Sequence, residues 1–127
     1  MKKITLLICS LFVLQGIFSQ GIYESYIIMD VNGGGNTYYD LNATTGNTDF
    51  NGNNFGVFST GNTLYLKGFE HKLWQNGGTG FEWDRLHYKV EETSDNSQSY
   101  SFLAGSYDSF LGGNNHKWIN NTTNVNL

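Results

Sequence analysis

Glycine and asparagine interrupt this chain so often that helices of ordinary length have almost no room between them. From Gln20 to Leu127 there are 15 glycines and 16 asparagines, the residues that best tolerate the positive φ angles of tight turns. Short runs of β-branched and aromatic residues lie between these turn signals. Tyr23 to Val31 reads as a strand, bounded by Gly21 and by Asn32-Gly33-Gly34-Gly35-Asn36, and Thr37 to Leu41 resumes extended structure after that turn. Asn42 to Asn54 reads as a long ordered surface loop. Thr63 to Lys67 alternates, and Glu70 to Trp74 is predicted as the next strand. Trp83 to Glu91 gives the clearest pattern: Leu86, Tyr88 and Val90 fall on one face, and Arg85, His87, Lys89 and Glu91 on the other. Ser99 to Leu103 and Asn115 to Ile119 complete the series. Six to nine short strands without crossover helices predict an all-β fold, a small antiparallel β-sandwich of jelly-roll or immunoglobulin-like kind.

The first nineteen residues carry a different signal. Met1-Lys2-Lys3, the apolar run Ile4 to Phe18 and then Ser19-Gln20 have the cationic start, apolar middle and small-residue end of a secretory signal peptide. The run is too short and wrongly flanked for a stable membrane span. Cleavage is expected after Ser19, which makes the domain division 1–19 leader and 20–127 a single module. The mature protein is then secreted, extracellular or held at the cell surface. Cys9, the one cysteine, leaves with the leader, so the mature chain has no thiol from which to build a disulfide.

Removing Lys2 and Lys3 leaves five basic residues against eleven acidic ones, a net charge near −6. That balance argues against nucleic acid or an anionic membrane surface as partner, because both need clustered Lys and Arg. A chain of this length buries roughly two-thirds of its unfolded surface, and without disulfides the burial must come from side chains alone. Eighteen aromatic residues from Gln20 onward supply much of it, at about 150–250 Å² each. The alternation Asn124-Val125-Asn126-Leu127 begins at the very end of the sequence; either the final strand closes there, or the module is cut from a longer protein with its last strands and companion domains beyond Leu127, and the second reading is the leading expectation.

The string Asn32-Gly33-Gly34-Gly35-Asn36-Thr37-Tyr38-Tyr39-Asp40-Leu41, within Glu24 to Ala43, resembles the opening of β-sandwich modules in secreted, often repetitive surface proteins of Bacteroidota. Leu64 to Gly68 is similar to the next segment of such modules, and Lys117-Trp118 with Asn124 to Leu127 to their late portion. The resemblance implies a β-sandwich and a non-enzymatic role, since it brings no catalytic residues with it. Such modules generally continue into a Gly-x-Tyr strand and a sorting domain.

Candidate sites follow from residue chemistry. Asp30-Val31-Asn32-Gly33-Gly34 opens like a calcium loop. Gly34 then offers no side-chain oxygen and Leu41 stands where a bidentate Glu belongs, so a glycine turn is the plainer reading; Asp30, Asn32 and Asp40 are the calcium ligands if there is a site, and no other cofactor is indicated. Gly77 to Trp83 resembles one turn of a glycine-rich calcium repeat but occurs once, and reads as a hairpin loop. His71, His87 and His116 lack metal-ligand spacing and read as surface or strand-face residues. Glu82 and Asp84 share a strand face as the paired acids of a glycosidase do, a common arrangement by chance. Neither a Gly-x-Ser-x-Gly elbow nor a Walker loop is present.

Aromatic residues beside Asn- and Gly-rich loops give the leading binding expectation. Trp74, Trp83 and Trp118, with Tyr38 and Tyr39 as weaker candidates, offer flat rings that stack on a sugar face while neighbouring polar groups fix its hydroxyls. The sequence therefore reads as a non-catalytic secreted module for adhesion or binding of extracellular glycan. Its alternative is a structural spacer that assembles other domains through sheet edges, and a glycoside hydrolase fragment stands behind both.

Overall fold

The computed structural model describes residues 19–42, 45–76, 83–91 and 97–127. The predicted leader, apart from Ser19, and the glycine-rich segment with Glu82 lie outside the described residues. Among the described residues there is no helix and there are nine strands: β1 (Ser19–Val31), β2 (Thr37–Asn42), β3 (Thr48–Asp49), β4 (Leu64–Asn76), β5 (Arg85–Tyr88), β6 (Ser101–Ala104), β7 (Ser106–Gly112), β8 (Asn115–Asn120) and β9 (Val125–Asn126). The larger sheet runs β3-β2-β1-β4-β8-β7, with β9 also paired to β4, and β5-β6 form a second, small sheet. The all-β expectation is met, with a large sheet covered by a small one.

β1 and β4 are the spine. They pair antiparallel from Ser19 opposite Asn76 to Val31 opposite Leu64. Alternation along them sends Ile27, Met29, Leu66 and Phe69 to one face, where Leu86 of β5 and Leu103 of β6 close the core. Each such side chain, once buried, contributes about 1.5–3 kcal/mol.

Two predicted strands turn out to be one. The alternation of Leu64 and Leu66 and that of Phe69, His71 and Leu73 are out of phase, which is why Glu70 to Trp74 reads as a separate element. In the structure β4 runs through, and the register shifts so that Ile28 opposes Gly68 while Met29 opposes Leu66. The extra residue, Lys67, makes a β-bulge that resets the phase and brings Leu66 and Phe69 to the same face. Gly68 has φ 142°, and a Cβ there would lie 1.8 Å from the Asn120 carbonyl oxygen; glycine is therefore required.

Other expectations are corrected in detail. Gly21 is not a boundary but lies inside β1, opposite Trp74. The loop from Asn42 to Asn54 contains β3, which pairs in parallel with β2, Tyr39 opposite Thr48. That local departure from an antiparallel sheet follows from Asp40, whose carboxylate accepts hydrogen bonds from the Thr45 hydroxyl and the Asn47 amide and so folds the chain back alongside β2. Val90, expected on the core face, is exposed because β5 ends at Tyr88. β7, which no alternation in the sequence marks, pairs antiparallel with β8 at the edge of the large sheet. No helix among the described residues is long and apolar enough to cross a membrane.

Candidate functional site

Asp30, Asn32 and Asp40 do not meet. Val31 to Gly34 form a tight turn, with the Gly34 N–H donating to the Val31 carbonyl at 3.1 Å and positive φ at Asn32 and Gly33, as in the type I′ turn that Asn-Gly favours. Asp30 accepts from the Gly35 N–H, and Asn32 accepts from the Thr63 N–H through its side-chain oxygen. Asp40 stands opposite Tyr26 on β1, four residues from Asp30 and so about 13 Å along the strand. The calcium expectation is therefore corrected: these oxygens are spent on turn and loop hydrogen bonds at separate places. Among the described residues no three His, Cys, Asp or Glu side chains converge as metal ligands.

The five predicted aromatic residues are likewise dispersed. Trp118, on β8, is only 8% exposed and packs edge-on against Tyr107, so its ring belongs to the interior and is removed from the binding set. Trp74 is half-buried on the outer face of the large sheet, its indole over Gly21. Tyr38 stands edge-on to Tyr26 on that same outer face, and Tyr39 points the other way, onto Phe55 at the core margin. Trp83 alone among the three tryptophans is strongly exposed, at 66%.

His71 corrects another expectation, because it is buried. Its Nδ1 lies 2.8 and 2.9 Å from the two carboxylate oxygens of Asp84, and its ring packs on Phe69 with centroids 4.5 Å apart. Ser25 occupies the facing position on β1, so a serine, a histidine and an aspartate fall in one row. All three are buried, and among the described residues no hydrogen bond joins Ser25 to His71; an attacking hydroxyl needs both that bond and an approach for substrate. The row acts as a polar tie. Through His71 it holds the segment before β5 to β4, and the Gly105 N–H, between β6 and β7, donates to the Asp84 carbonyl at 2.9 Å.

That tie fixes the strand on which Trp83 leads into β5. Arg85 and His87 follow on the outward side of β5, and His87 faces Phe102 across the β5-β6 ladder. Phe102 is itself 51% exposed. The Arg85 guanidinium carbon lies 5.1 Å from the centre of the Trp83 ring and 4.4 Å from that of Phe102, close enough for cation–π attraction to both. Further along, the Lys89 ammonium lies 5.0 Å from the Tyr100 ring. The outcome is an exposed patch of three aromatic rings with cations set among them.

No protein-family model, curated protein or solved structure matches this chain.

The basic side chains differ in what they touch. Lys72 pairs with Glu24, Lys89 with Glu91, and Lys117 with Asp108, while Lys67 donates to the Asn124 side chain at 2.9 Å. Hydrogen bonding to Glu91 raises the Lys89 pKa, and hydrogen bonding to Asp108 does the same for Lys117. Among the described residues Arg85 has aromatic neighbours and no carboxylate partner. Sequence reasoning found Trp83 but missed Arg85 and Phe102. Part of the signal was there: the alternation that places Arg85 and His87 on the wet face also places Trp83 on it, one step back.

Proposed function

We propose that this chain is a non-catalytic glycan-binding module of an exported protein, acting by stacking and hydrogen bonding without bond cleavage. The observation that carries the reading is the exposure of Trp83 beside Phe102 and Arg85 on the outward side of the small sheet. Exposing large rings to water forgoes burial, and flat rings flanked by polar groups suit the apolar face of a sugar. The reading accords with the resemblance to modules of secreted surface proteins.

A glycan array probed with the purified protein, followed by tryptophan fluorescence titration of any hit, tests it. Saturable quenching that is lost in Trp83→Ala and kept in Trp74→Ala is expected. Failure of a folded sample to bind any glycan would overturn the proposal.

A second reading has its own observation. β7 is an edge strand whose Tyr107, Phe110 and Leu111 are exposed, and such an edge can recruit a strand from another molecule. In that case the module assembles other domains. Concentration-dependent mass in sedimentation, abolished by Phe110→Lys, would favour it.

A further inference from the structure

We infer that the sugar received by the Trp83 platform is a uronic acid, so that the ligand is an acidic polysaccharide whose carboxylate binds Arg85. The inference rests on the glycan-binding reading and names its ligand class. It starts from the state of the guanidinium. Arg85 is flanked by Trp83 at 5.1 Å and Phe102 at 4.4 Å, and among the described residues it has no carboxylate partner. Such contacts restrict the side chain, and because the rings are not carboxylate or carbonyl acceptors they leave its N–H groups for one. A planar fork of N–H donors matches the two oxygens of a carboxylate, and its partial immobilisation before binding lowers the entropy lost on binding.

Charge distribution points the same way. In a chain with eleven acids and, after the leader, five bases, a cation set between exposed rings and without a carboxylate partner among the described residues is poorly explained by solubility. It is well explained by a ligand that brings one negative charge next to an apolar ring face. A uronate does so: its pyranose face stacks on Trp83 while its carboxylate reaches Arg85. Lys89 beside Tyr100 is not a second such position, because its ammonium is already paired with Glu91. A sulfated polysaccharide with more than one charge per sugar fits less well, because the acidic remainder of the surface repels it more strongly than a uronate.

The test uses the full protein with polygalacturonate, alginate and glucuronoxylan, each beside its carboxyl-reduced counterpart, which keeps the sugar backbone and loses the charge. A sulfated polysaccharide and a neutral mannan complete the set. The expected result is at least one uronate polymer bound about ten-fold or more tightly than its reduced form. Arg85→Gln should erase that preference, so that acid and reduced forms bind alike, and Arg85→Lys should keep part of it. Trp83→Ala should weaken binding to both forms. Both positions are exposed, so neither substitution opens the core, and melting temperatures check this directly.

Equal affinity for acid and reduced polymers, equal or better binding of the sulfated polymer, or an Arg85→Gln variant that still prefers the acid would overturn the uronate assignment and leave glycan binding standing. No binding to any polymer, charged or neutral, would overturn the glycan reading and this inference with it.

Discussion

Gly68→Ala should be among the most damaging single-methyl additions this fold can receive, and the reason is local geometry. The new Cβ would lie 1.8 Å from the Asn120 carbonyl oxygen and 2.7 Å from its carbon. A carbon–oxygen contact needs about 3.3 Å, so the backbone at Asn120 must retreat by about 1.5 Å. That retreat parts Phe69 from Asn120, the last rung between β4 and β8. It also strains two side-chain bonds, Asn120 to the Ala104 carbonyl at 2.8 Å and Thr123 to Asn120 at 2.7 Å. Each bond is worth about 1 kcal/mol, and alanine at φ 142° adds about 1–3 kcal/mol of backbone strain. The total is about 3–5 kcal/mol, a large part of the 5–15 kcal/mol typical of a domain. Gly33→Ala is the control, because φ there is 72° but nothing lies within 4 Å of the added carbon; left-handed strain alone costs about 1–2 kcal/mol. Urea unfolding followed by fluorescence measures both. A Gly68→Ala loss no larger than that of Gly33→Ala would refute the steric argument.

Further expectations concern the core, the buried polar tie and the outer sheet face. Phe69 is 0% exposed, and Phe69→Ala should cost about 3–5 kcal/mol with little change in the urea m-value. His71→Ala and Asp84→Ala should each destabilise, and the double variant should cost less than the two losses combined by about 1–3 kcal/mol; an additive cycle would show that the pair is not coupled. Burial, and then the hydrogen bond to Glu24, push the Tyr26 pKa up to about 12. Its stabilising effect is therefore complete below the ordinary value of 10.0 and lost as pH rises towards about 12. One late-ionising tyrosine should appear in an alkaline absorbance titration and vanish in Tyr26→Phe. Glu24 is held below its ordinary 4.5 by hydrogen bonds from Lys72 and Tyr26, so its contribution is present above pH 4.5 and lost as acid titrates it through the lowered value; Glu24→Gln should flatten the acid limb of the stability curve.

Strand positions were legible wherever alternation held a constant phase. Arg85, Leu86, His87 and Tyr88 take the faces their spacing predicts. Phase change defeated the reading at β4, because periodicity sees a break where a bulge only adds a residue. β7 was missed because glycines at 105, 112 and 113 and exposed rings within it resemble a turn-rich surface segment. Trp118 misled for a different reason: residue type does not say whether an indole on a sheet faces the partner sheet or water. The joining of Arg85 to Phe102 depends on the β5-β6 register, with Arg85 opposite Ala104 and His87 opposite Phe102, and that register is set through tertiary packing. The His71–Asp84 pair was hidden likewise, since the two lie 13 residues apart in the chain and meet only through tertiary packing.

The layout of the large sheet also sets an order of events for the chain in time. Two hairpins are local: β1-β2 closes at Asn32-Gly33, and β7-β8 closes at Gly113-Asn114, where both φ angles are again positive. Hairpins of this kind form in about 1–10 μs. β4 has no neighbour adjacent in sequence; its first strand partner pairs across as many residues as separate Ser19 from Asn76, and its second lies beyond the whole β5-β6 excursion. The topology therefore predicts the capture of β4 between the two hairpins as the slow step, on the millisecond-to-second scale of folds dominated by distant contacts, and stopped-flow refolding followed by tryptophan fluorescence checks it. Until then Phe69, Leu66 and Ile27 stay wet, and the chain is most open to proteases and to its own neighbours.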